Sequence, residues 1–201
     1  MTRRYFYDTE FLDDGHWIDF ISLGMVTEDG RPFYAVSSDF DLNRLLGEPW
    51  LLDNVVPGLP VRLHRGGNGT PSALAWDPEH PDFPCVRPRA IIAADVIEFV
   101  RPDKNDVPEL WAYYNAHDHV ALTQLFGRMV DLPEGMPKRT RDLAELRDHV
   151  RAAVRRRGDA DDVWQPPDPD AAHNSGADAQ WNLELWRALT RQLGYPVPPS
   201  R

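Results

Sequence analysis

Nine residues, IDFISLGMV at 18–26, constrain this chain more than any others. Strand side chains alternate between two faces. Here both faces are apolar and rich in β-branched types, which predicts a strand buried on both sides inside a covered sheet. The flanking sequence agrees. YFYD at 5–8 reads as a preceding strand, TEDG at 27–30 as a turn, and PFYAVSSD at 32–39 as a third strand. Links this short predict an antiparallel meander.

Helical and extended patterns alternate from there on. Short helices are expected over 41–46 and 49–55, the first capped by Asp41 and the second stopped by Pro57. Residues 64–89 are rich in Gly and Pro and predict an insertion-like loop. A helix starts at Arg89, with Ile92, Val96, Phe99 and Val100 on one stripe. ELWAYY at 109–114 reads as a fourth strand, and NAHDHVALTQLFG as a helix ending at Gly127. PKRT before residue 142 gives a faint fifth strand. Helices follow over 142–157 and 177–193, the last stopped by Gly194. A meander followed by such alternation predicts a single α/β domain over 1–201, its mixed five-stranded sheet flanked by helices.

Bulk properties exclude several classes. No apolar run approaches the length of a membrane span. The N-terminus lacks the apolar region of a signal peptide, and one cysteine, Cys85, excludes an internal disulfide. A cytoplasmic protein is the simplest expectation. The net charge of −10 argues against wholesale electrostatic binding to nucleic acid. The run at 138–157 is locally basic, which suits a solvated helix face.

The acids are the informative residues. Asp8 and Glu10 are two apart at the end of the first strand, so their carboxylates stand side by side, where like charges resist joint ionisation. Asp118 follows the fourth strand directly and shares a helix stripe with Ala121, Leu122, Leu125 and Met129, so it points inward. His173 lies in the loop before a helix that Asn174 or Ser175 can cap, and Asp178 in the first turn of that helix. Asp118 and Asp178 could each simply complement a helix dipole. Together, however, four carboxylates and an imidazole suit two Mg²⁺ or Mn²⁺ ions. About 3.5–4 Å apart, such ions clamp the two oxygens of a phosphodiester displacement. A histidine near neutrality can take the proton of the attacking water.

The ordered set Asp8-x-Glu10, Asp118 and His173-x4-Asp178 resembles the DEDDh 3′-5′ exonucleases, whose fold is ribonuclease H-like. RYFYDTEF, ISLGMV, EDGR, YAVS and LWAYYNAHDHVAL resemble, more closely, the small polyadenylate-specific 3′-exoribonuclease AS type. The resemblance implies 3′-to-5′ hydrolysis at single-stranded RNA 3′ ends, preferably adenylate-rich, with release of 5′-mononucleotides by a homodimer. It implies that Asp8, Glu10 and Asp178 hold one ion and that Asp8 and Asp118 share the second. His173 becomes the general base, and Thr9, Glu10, Phe11 and His173 meet substrate. Phe11 replaces the Thr usual after the first motif, and Tyr114 the Asn four residues before Asp118. Both departures point away from a generic proofreading enzyme. A DNA-directed exonuclease or an inactive RNA-binding module on the same scaffold are the alternatives. Trp17, Trp111 and Trp181 are expected in the core, and His117 and His119 on an exposed helix face.

Overall fold

In the computed structural model, residues 2–101, 103, 105, 107–157, 163–169 and 172–194 are described. Strands β1 (Thr2–Asp13), β2 (Ile18–Thr27) and β3 (Pro32–Ser37) form the expected antiparallel meander. Every residue of β2 is buried, as its doubly apolar pattern requires. A 3₁₀ turn at Leu42–Gly47, capped by the Asp41 carboxylate, leads into α1 (Pro49–Asn54). Then come the hairpin β4 (Val61–Arg65) and β5 (Pro71–Trp76), β6 (Val86–Arg87) and α2 (Arg89–Val100). The chain continues through β7 (Val107–Ala112), α3 (Ala116–Gln124), β8 (Thr140–Asp142), α4 (Leu143–Arg156) and α5 (Ser175–Gln192).

The main sheet runs β6-β3-β2-β1-β7-β8, with β7 parallel to β1 and β8 parallel to β7. It has six strands, not five. Val86 and Arg87 pair in parallel with Val36 and Ser37, a two-residue contact too short to carry a periodic signal. The Gly/Pro-rich stretch is likewise not simply a loop. Leu74 of β5 is buried, and Leu63 and Trp76 pack against the same cluster, so the hairpin covers apolar surface beside β3. Pro71 is tolerated because it begins its strand. Trp17 is 53% exposed, at the β1–β2 turn, rather than in the core. The Asp118 stripe ends before Met129, which is exposed, because α3 stops at Gln124 and Gly127 turns the chain at φ +91°. Among the described residues no helix is long and apolar enough to cross a membrane.

Alternation along β1 divides the core. Tyr5 and Tyr7 pack with Ile92, Val96 and Leu122 of α2 and α3. Phe6 packs on the other face with Leu143, Leu183 and Trp186 of α4 and α5. Asp8 and Glu10 continue the Phe6 face and pair in register with Gly24 and Ser22 of β2. There the start of α5 touches the sheet: a Cβ on Gly24 would overlap the Ser175 carbonyl, and the Ser22 and Ser175 hydroxyls are 2.9 Å apart. One glycine thus sets the helix beside the two acids.

Candidate active site

Three carboxylates meet where α5 crosses β1. Asp8, Glu10 and Asp178 each present an oxygen within 4.8 Å of the others. The pleat supplies the first two. Asp178 is supplied by the first turn of α5, whose cap, the Asn174 side chain, accepts from the amides of Gly176 and Ala177. One turn on, the Asn182 amide donates to the Tyr7 carbonyl at 2.9 Å and fixes α5 on β1. Asp118 joins from α3: its Oδ1 accepts from the Thr9 amide at 2.9 Å and the Thr9 hydroxyl at 2.6 Å. All four acids line one open cavity of about 420 Å³. The sequence-predicted residues Thr9, Phe11 and His173 line it too.

The electrostatics are strained. Burial raises the Asp8 carboxyl well above the ordinary range, and the charges of Asp118, Glu10 and Asp178 raise it further. Burial and the neighbouring Asp178 and Asp118 push Glu10 up to about 9. Asp118 reaches about 6, since burial outweighs the Thr9 hydrogen bonds that favour its charged form. Asp178 is raised by burial, opposed by the His173 amide. Among the described residues no Lys or Arg forms an ion pair with any of the four. Clustered hard oxygen donors that, among the described residues, no Lys or Arg pairs with fit divalent cations of the Mg²⁺ or Mn²⁺ kind.

The rest of the cavity is aromatic. The His173 amide donates to Asp178 at 2.9 Å, and its ring meets the Trp50 ring edge-on, with centroids 4.7 Å apart. Phe11 and His117 stack at 5.8 Å and 28°. Tyr113, Tyr114 and Trp181 form another wall. Trp181 is therefore cavity lining and only partly buried; Trp111 is partly buried too, but away from this cavity. His117 is exposed as expected; His119 is half-buried, its Nδ1 3.0 Å from the Thr140 hydroxyl, and burial lowers its pKa. Trp50, Leu51, Tyr113 and Asn182 were not anticipated from sequence. Only Asn182 carried a signal, one helical turn after Asp178.

A family profile described as the 3′-5′ exoribonuclease Rv2179c-like domain matches residues 3–190, which take in all four acids and His173. The chain belongs to this family. Among its relatives are the 3′-5′ exoribonuclease Rv2179c of Mycobacterium tuberculosis strain ATCC 25618 / H37Rv and the 3′-5′ exoribonuclease MT2234.1 of strain CDC 1551 / Oshkosh. Each is 40% identical over 187 residues, covering 93% of this chain and 93% of the relative. The Rv2179c-like domain thus accounts for nearly the whole chain, including the hairpin β4–β5.

Proposed function

We propose that this protein is a 3′-to-5′ exoribonuclease of the DEDDh type, with a ribonuclease H-like sheet and a preference for adenylate-rich 3′ ends. The observation that carries the reading is the convergence of Asp8, Glu10 and Asp178 within 4.8 Å, in a chain of a 3′-5′ exoribonuclease family. Asp8, Glu10 and Asp178 would hold one divalent ion, and Asp8 and Asp118 a second. When bound, Mg²⁺ or Mn²⁺ lowers the pKa of a coordinated water and offsets the charge that develops on the phosphate. The protein's own residues do the rest. Thr9 holds Asp118 in place through two hydrogen bonds. The His173 imidazole accepts the proton of the attacking water at an unprotonated ring nitrogen. Water oxygen bonds to phosphorus, the P–O3′ bond breaks and the departing O3′ takes up a proton from solvent, leaving a 5′-mononucleotide and an RNA with a new 3′-hydroxyl. Phe11, stacked on His117, offers a face to the terminal base. The adenylate preference and a homodimeric state rest on the resemblance to the AS type.

Defined RNAs labelled at the 5′ end, with A-rich or U-rich 3′ ends, test this with Mn²⁺ present. Stepwise shortening and 5′-mononucleotide products are expected, faster on the A-rich end. Chelator and Asp8→Ala should each abolish them. Internal cleavage, or turnover in excess chelator, would remove the reading.

A further inference from the structure

Among the described residues only two other than glycine hold a positive φ, Tyr114 at 54° and His173 at 66°, and both line this cavity. Such a backbone is unfavourable for side chains with a Cβ and persists where surrounding structure imposes it. At His173 the conformation accompanies the hydrogen bond that its backbone amide donates to the Asp178 carboxylate. Tyr114 has no part in the proposed chemistry. Its backbone turns just after β7, and the residue is 64% exposed at the cavity mouth.

Its ring is firmly backed. Tyr113 meets it edge-on at 4.5 Å, and Trp181 meets Tyr113 at 5.4 Å and 86°. The Arg147 guanidinium donates to the Tyr113 hydroxyl and lies 5.3 Å from its ring centroid. Arg147 is thus a prop for the aromatic wall, although its basic run reads as a solvated face. A supported ring with exposed surface is what a base of single-stranded nucleic acid stacks on. Phe11 and His117 already supply a wall beside Glu10 for the terminal base. Tyr114 offers a second ring at the same cavity, and it is the more solvent-exposed of the two.

We infer that Tyr114 stacks the base of the penultimate nucleotide, on the 5′ side of the scissile phosphate. The inference rests on the exoribonuclease reading. A double-mutant cycle between ring and base tests it. Dissociation constants are measured in Ca²⁺ for a short single-stranded RNA and for the same RNA made abasic at its penultimate position. The proteins are wild type, Tyr114→Phe, which keeps the ring, and Tyr114→Gly, which suits the positive φ. Base removal should weaken binding about tenfold for wild type and Tyr114→Phe, and about twofold or less for Tyr114→Gly. A 2-aminopurine at that position should be quenched by the first two proteins and not by the third. Equal penalties and equal quenching in wild type and Tyr114→Gly, or no RNA binding by wild type, would overturn the platform. Wild-type protein that binds the RNA but leaves it intact in Mn²⁺ overturns the exoribonuclease reading instead, and the cycle still decides the role of Tyr114.

Discussion

Glu10 shows how far single residues were readable and what they cost. Its pairing with Asp8 follows from the strand period, and the inward aim of Asp118 from a helix stripe. His173 and Asp178 follow from cap chemistry. Trp50 left no such trace, since α1 reaches the cavity only through long-range packing, and Tyr114 stood out only as the residue in place of the Asn that the resemblance expects. The cost of Glu10 is electrostatic. Its folded-state pKa of about 9 lies above the ordinary carboxylate value, so its protonated form favours folding. That stability is present below about pH 4.5 and is lost as pH rises through 9. Metal-free wild type should therefore melt lower at pH 8 than at pH 5, by about 2–4 °C for each kcal/mol at this chain length. Glu10→Gln should shrink the difference and lose activity, and thermal melts in chelator check both. Thr9→Val removes one of the bonds that keep Asp118 ionised. The acid limb of Mn²⁺ binding, followed by calorimetric titration against pH, should then move to higher pH.

At the scale of elements, the contact between β2 and α5 does most to place the site. Gly24 has no room for a Cβ, and the obstacle is backbone of the turn that carries Asp178. Gly24→Ala should destabilise by about 1–3 kcal/mol or more and reduce activity, because the first turn of α5 must move. Gly47, where an added Cβ would meet nothing within 4 Å, is the control: Gly47→Ala should match wild type in urea unfolding. Periodic elements were legible within a few residues: the meander, α2 with its buried stripe, α4 and α5. The hairpin β4–β5 and strand β6 were not. Their strands are short and lie among prolines and glycines, and pairing with distant residues defines them rather than local pattern.

Across the whole molecule, a net charge of −10 and a cluster of four acids oppose a polyanion. Divalent cations should relieve both, so affinity for RNA should rise on adding Ca²⁺ and fall on chelation, as fluorescence anisotropy would report. The central claim is that residues from β1, α3 and α5 build one site for paired ions. Calorimetric titration of Mn²⁺ in the presence of a nucleoside 5′-monophosphate tests it most directly. The expected result is two ions per chain for wild type and loss of both tight sites in Asp8→Asn. Wild-type stoichiometry retained in Asp8→Asn, or no tight Mn²⁺ binding by wild type, would contradict it.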